Sequence, residues 1–156
     1  MTRPVLTVTL NPAIDQTIVL GTLQPGAVHR AQSARFDAGG KGVNVASCLA
    51  DWGEQVVATG ILGDANDGVF RSLFATKGVI DRFVRIPGNN RTNIKLVHAG
   101  DTTDINLPGC RRNLFRTARK LAQGGALGFT QLRVPQRLLF VPAQFLLLPR
   151  PLRCRQ

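Results

Sequence analysis

The chain has 156 residues, 44% of them hydrophobic, which suits one domain with a buried core and leaves too little for two comfortable ones. Lys and Arg number 20 against 9 Asp and Glu, and a net charge of +11 would ordinarily point to a polyanion such as nucleic acid. Its distribution argues against that partner: residues 1–109 hold 10 bases and all 9 acids, whereas residues 110–156 hold 10 bases and no acid.

Val5-Leu6-Thr7-Val8-Thr9-Leu10 is apolar and β-branched and stops at Asn11-Pro12, so it reads as a first strand. Thr17-Ile18-Val19-Leu20 is a second β-like run, and residues 28–36 can return antiparallel to it around Pro25-Gly26. Asp37-Ala38-Gly39-Gly40-Lys41-Gly42 reads as a glycine-rich loop, and from it a helix opens over 43–52, with Val45, Cys48, Leu49 and Trp52 at helical spacing and Gly53 closing it. A strand over 55–61, a helix over 67–76 capped by Gly78, and a strand over 82–86 continue the alternation, which favours a parallel α/β layer. Residues 93–98 and 103–107 form a second antiparallel piece around Ala99-Gly100-Asp101.

Past Pro108-Gly109 the pattern fails. Residues 111–123 could form a basic helix, but Gly124, Gly125 and Gly128 follow, and prolines 135, 142, 149 and 151 cut every later apolar run. Acids are about an eighth of an average globular chain, so a stretch this long without one arises by chance on the order of a few times in a thousand. Phe115, Phe129, Phe140 and Phe145 are the aromatic residues among the tail's bases, thin support for a base-stacking platform. Cys48, Cys110 and Cys154 fit no disulfide framework or zinc spacing, and residues 1–4 lead straight into a strand-like run rather than a leader. The longest apolar run, 138–148, is broken by Pro142 and falls short of the roughly 20 residues of a membrane helix. The expectation is a cytoplasmic protein with no membrane span.

The chemistry concentrates in the first part. Glycines at a helix start let backbone amides approach an anion, the helix N-terminus adds donors and a positive dipole end, and Lys41 adds a point charge. The sequence is neither a Walker A loop, because Gly42 follows Lys41, nor a dinucleotide fingerprint, because no third glycine follows. Taken alone, the hexapeptide reads equally well as a plain strand-to-helix turn. Asp15, just after strand one, could accept hydrogen bonds from sugar hydroxyls at the carboxyl end of the sheet, or simply cap the Asn11-Pro12-Ala13 turn. Asn44 could face a polyol or cap the helix locally, and Arg91 could grip a phosphate bidentately or lie solvated. His29 and His98 have no partnered Ser or Cys and read as surface residues.

In order, Asn11-Pro12-Ala13-x-Asp15, Gly39-Gly40-Lys41-Gly42-x-Asn44-Val45-Ala46, Gly60-x-Leu62-Gly63 and Asn90-Arg91-Thr92-Asn93-x-Lys95 resemble the ribokinase-type (PfkB) carbohydrate kinases. Within that family they are most similar to the 1-phosphofructokinase type and its hexose-phosphate kinase relatives. The resemblance covers residues 5 to about 109 and implies an α/β sandwich with a parallel central sheet, here incomplete, and a small antiparallel β lid near 16–36 and 92–107, through which relatives dimerise. It implies that Asp15 and Asn44 hold sugar hydroxyls, that Gly39, Gly40 and Lys41 form the substrate loop, and that Arg91 lies near the substrate phosphate; Asn93, Lys95 and Arg30 carry over less directly. It also implies ATP and Mg2+ for the complete enzyme and a sugar-phosphate substrate, fructose 1-phosphate or a close ketohexose phosphate.

One departure is large. The family's Gly-Ala-Gly-Asp motif, which supplies the base and the anion hole, does not occur; Gly124-Gly125-Ala126 is followed by Leu127, and the tail has no aspartate. The expectation is therefore the substrate-binding half of a kinase, inactive as it stands. Residues 110–156 read as an out-of-frame, disordered tail, an Arg, Leu, Pro and Gly mixture such as GC-rich coding sequence yields in another frame. The alternative is a non-enzymatic sugar-phosphate-binding protein with a basic polyanion-binding tail.

Overall fold

A computed structural model describes residues 4–108, 138–141 and 144–147. The expected helix over 111–123, Cys110, Cys154 and most of the basic tail lie outside the described residues.

The core layer alternates as its apolar runs require. β1 (Val5–Thr9), β4 (Val56–Gly63) and β5 (Ile80–Ile86) run parallel in the order β5-β4-β1, with Val5 opposite Val56 and Val57 opposite Ile80. Parallel neighbours need crossovers, supplied by α1 (Lys41–Asp51) and α2 (Gly68–Lys77). Val43, Ala46 and Leu49 form the buried stripe of α1 and Phe70 and Phe74 that of α2. Together with Val5, Val56, Ala58, Leu62 and Phe83 they make the main core, where Phe74 and Phe83 stack with ring centroids 5.6 Å apart.

The second layer is a four-stranded sheet in the order β3-β2-β6-β7, built from β2 (Ala13–Leu20), β3 (Ser33–Gly39), β6 (Arg91–His98) and β7 (Asp101–Asn106). The two antiparallel pieces expected from the sequence are thus one sheet, joined by a parallel β2–β6 pairing in which Asp15 meets Asn93. The lid is accordingly mixed rather than purely antiparallel.

Most boundaries shift by one to three residues from the sequence reading, and three of the shifts shape the site. β2 begins at Ala13, so Asp15 lies within a strand instead of capping a turn. β3 starts at Ser33 and runs on to Gly39, leaving residues 28–32 in the connecting loop. Pairing explains both changes, because Ala13 and Asp15 find ladder partners on either side in Gly39 and Asp37 and in Arg91 and Asn93. The glycine-rich stretch is consequently strand to Gly39 and helix from Lys41, with Gly40 alone between them.

In the tail, β8 (Leu138–Val141) and β9 (Gln144–Leu147) pair antiparallel, and β9 adds to the edge of β1 with Leu6 opposite Leu147. These eight residues lie within the 110–156 tail. Among the described residues, no helix is long and apolar enough to cross a membrane.

Candidate functional site

The site forms where the lid leaves the core layer. Side chains two apart on a strand share a face, so Asp15 and Thr17 lie beside Gly39, Asp37 and Arg35 on one flank and Arg91, Asn93 and Lys95 on the other. Along that face runs a hydrogen-bonded row. Arg91 Nη1 donates to Asn93 Oδ1 at 3.3 Å, and Asn93 Nδ2 donates to Asp15 Oδ1 at 2.8 Å. The carboxamide of Asn93 thus links a cation to a carboxylate and fixes the orientation of both. Asp15 and Arg91 are half-buried, and Arg91 Nε is buried with no hydrogen-bond partner among the described residues. A donor in that state has been desolvated without compensation, which a ligand oxygen would supply.

The glycine turn closes on the same carboxylate. A Cβ placed on Gly39 would run into the Asp15 carboxylate and come within 3.1 Å of Ala13 O. Gly40 caps α1 at φ 115, a left-handed value that disfavours other residues, and a Cβ there would press on Thr9 Cγ2 at 3.0 Å. No side chain caps α1 and no acid stands in its first turn, so its first amide donors and positive dipole end are not neutralised locally. Lys41 and Asn44 are exposed on that turn, and Asn44 N donates to Gly40 O at 2.9 Å.

The structure therefore brings Asp15, Gly39, Arg91 and Asn93 into contact and joins Lys41 and Asn44 to them through Gly40. Lys95 shares the face but lies roughly 7 Å farther along β6. Arg30 is exposed in the 21–32 loop at the other end of the β2–β3 hairpin. The histidines serve locally: His29 Nε2 meets Gln24 O at 2.9 Å, and His98 Nε2 meets Thr103 Oγ1 at 3.0 Å. Chemically, the row offers a carboxylate for sugar hydroxyls beside a guanidinium, an ammonium and a helix N-terminus for a phosphate.

Two further clusters escape sequence reasoning. Asn90, quoted above only as part of a motif, is buried and bonded to Gly63 and Asn66. Asp67 is also buried, and its Oδ2 accepts from Arg71 Nε at 2.8 Å and Arg85 Nε at 3.1 Å, while Arg85 Nη1 donates to Asp81 Oδ1 at 3.0 Å. Burial pushes the Asp67 carboxyl up, but the hydrogen bonds and charges of Arg71 and Arg85 outweigh it and hold the group below the ordinary carboxylate range. The i,i+4 spacings Asp67–Arg71 and Asp81–Arg85 were the available signal.

Residues 8–123 match the model of the pfkB family carbohydrate kinases, extending past the compositional break at Gly109. The chain is 64% identical over 111 residues to a 1-phosphofructokinase of Xanthomonas campestris, covering 70% of this chain and 35% of that one. It is 47% identical over 111 residues to a 1-phosphofructokinase of Rhodobacter capsulatus, with the same coverage of each. Phosphofructokinase-2 from Escherichia coli, solved in complex with substrates and products, superimposes with a TM-score of 0.63 at 25% identity, covering 76% of this chain and 41% of that one. The chain spans about a third of the length of the curated relatives it matches.

Proposed function

The chain belongs to the pfkB family of carbohydrate kinases, and from that premise we propose that its described residues are the sugar-phosphate-binding half of a kinase that converts fructose 1-phosphate, or a close ketohexose phosphate, to the bisphosphate. The observation that carries this reading is the Arg91–Asn93–Asp15 row set against the glycine turn of α1. Asp15 and Asn44 receive the sugar hydroxyls, Gly39 and Gly40 let the sugar approach the backbone, and Lys41 and Arg91 face the phosphate already on the substrate. Asn93 holds the carboxylate and the guanidinium in register. The contribution of these residues to phosphoryl transfer is positional: they fix the acceptor hydroxyl so that an in-line donor can reach it.

ATP and Mg2+ serve the complete enzyme in this reading. Among the described residues no group of three or more His, Cys, Asp or Glu side chains comes together, and the Gly-Ala-Gly-Asp motif that the family resemblance implies for the base and anion hole does not occur in the sequence. In this reading the described residues bind the sugar phosphate and position its acceptor hydroxyl.

The other face of the lid supports self-association. By register it carries Phe36, Gln16, Ile94 and Ile105 in one row and Ala34, Ile18, Leu96 and Thr103 in the next, six of the eight apolar, and Phe36 and Ile105 are exposed. An apolar sheet face opposite the polar site face suits a homodimer through the lid. Family membership further supports a cytoplasmic location.

Calorimetric titration tests the binding assignment. Fructose 1-phosphate should bind, and Lys41→Ala or Arg91→Ala should each weaken it about ten- to a hundredfold, the equivalent of one charge-assisted contact. Unphosphorylated fructose should bind weakly and equally to all three proteins. Equal losses on both ligands would refute the phosphate assignment.

A further inference from the structure

Up to β6, the chain passes between core layer and lid at residues 10–12, at Gly40 and at residues 87–90. Among the described residues, the third crossing is the one tied by buried side-chain hydrogen bonds. Gly63 is the last residue of β4, and the ladder bond to β5 there is made by Asp64 N, which donates to Ile86 O at 3.0 Å. Gly63's own N–H and C=O therefore point the other way, past the end of β1 at Thr9, where no strand remains to pair with them.

The side-chain amide of Asn90 takes that strand's place. Its Oδ1 accepts from Gly63 N at 2.8 Å and its Nδ2 donates to Gly63 O at 2.9 Å. Asn66 grips the same residue from the opposite side: its Oδ1 accepts from Asn90 N at 2.7 Å and from Asn90 Nδ2 at 2.8 Å, and its Nδ2 donates to Asn90 O at 3.3 Å. Ala65 N donates to Gly88 O at 3.1 Å, and a Cβ on Gly63 would run into that same carbonyl, so the 88–90 loop lies flat against the end of β4. Both donor hydrogens of the buried Asn90 amide are used, which leaves it a single orientation. The next residue is Arg91, and β6 continues to Asn93.

We propose that Asn66 and Asn90 form a clasp that sets the angle between lid and core sheet, making them positioning residues for the site. Neither belongs to the Arg91–Asn93–Asp15 row. Their effect on a ligand rests on the sugar-phosphate reading above: such a ligand touches Lys41 and Asn44 on the core layer and Asp15 and Arg91 on the lid, and it can do so together only if the two layers keep one angle.

The test measures the angle and the binding separately. Nitroxides are placed at Ser72→Cys on exposed α2 and Thr102→Cys on exposed β7, with Cys48, Cys110 and Cys154 replaced by Ser, and the inter-label distance distribution is recorded by double electron–electron resonance. Asn66→Ala should broaden the distribution; Asn66 is half-buried, so water can take over its bonds and the fold survives. Asn90→Asp, which keeps the acceptor for Gly63 N but turns oxygen toward Gly63 O and Asn66 Oδ1, should do the same. Without labels, both variants should bind fructose 1-phosphate about tenfold more weakly. An unchanged distribution with only a lowered unfolding midpoint would make the asparagines merely structural and overturn the proposal, as would a broadened distribution with unchanged affinity. Broadening in a chain whose parent does not bind fructose 1-phosphate would uphold the clasp and refute the sugar-phosphate reading instead.

Discussion

Gly39→Ala isolates the relation between the glycine turn and the Asp15 carboxylate. The substituted Cβ would overlap that carboxylate and come within 3.1 Å of Ala13 O, so Asp15 must turn away. Gly39 is not among the glycines at positive φ, so alanine brings no backbone penalty to confuse the result. Turning Asp15 breaks its 2.8 Å bond from Asn93, which involves a charged acceptor and is worth about 1.5–3 kcal/mol. Losing the carboxylate from the sugar should therefore weaken fructose 1-phosphate binding about ten- to a hundredfold, and overpacking should lower stability by about 1–3 kcal/mol. Titration calorimetry and urea unfolding read the two effects. The decisive arm is Asp15→Ala: in that background Gly39→Ala should cost under about 1 kcal/mol and leave the residual affinity unchanged, because the clashing group is gone. Additive losses in the double variant would refute the argument.

Asp67 makes stability depend on acid. Its folded-state pKa lies below the unfolded value, so its contribution is complete above the unfolded carboxylate pKa of about 3.9 and disappears as pH falls through the lower folded value. Asp67→Asn should lower the urea midpoint at pH 6 and flatten the decline between pH 5 and the acid limit; parallel curves for the two proteins would contradict the ion-network reading. Phe36→Lys on the exposed apolar row of the lid should convert a dimer to monomer in sedimentation velocity while leaving fructose 1-phosphate affinity intact, and a parent already monomeric at high concentration would end the dimer proposal. A reading-frame change would account for the acid-free tail, and in that case the coding DNA downstream of the Gly109 codon, read in another frame, should continue the kinase sequence toward a Gly-Ala-Gly-Asp motif. Stop codons throughout that frame would exclude it.

The alternation of the core layer was legible from Val5 to Thr9 as continuous strand and from Phe70 and Phe74 on α2. On α1 the spacing pointed to Val45, Cys48, Leu49 and Trp52, whereas the buried stripe is Val43, Ala46 and Leu49 and Val45, Cys48 and Trp52 are exposed, because small Ala46 packs where the sheet approaches the helix. Residues 37–39 read as loop in the sequence because glycine and aspartate are poor strand formers in isolation, and their strand exists only through pairing with residues 13–15. Such pairing is tertiary information. The same holds for the parallel β2–β6 junction, whose Asp15 and Asn93 are 78 residues apart in the chain. The motif residues were legible one by one, but the row linking Arg91 through Asn93 to Asp15 needed that junction. Asparagine is common in turns, so Asn66 and Asn90 carry no distinguishing signal in the sequence; only the end of β1 at Thr9, which leaves Gly63 without a strand partner, turns them into a clasp.

The central claim is that one ligand bridges the glycine turn of α1 and the Arg91–Asn93–Asp15 row. A heteronuclear NMR titration of the labelled chain with fructose 1-phosphate tests it directly. Saturable amide shifts are expected at Asp15, at residues 39–44 and at residues 91–93, all fitting one dissociation constant, with the β7 strand unmoved. Shifts confined to one of the two layers, or clustered on the basic residues beyond 109, would contradict it.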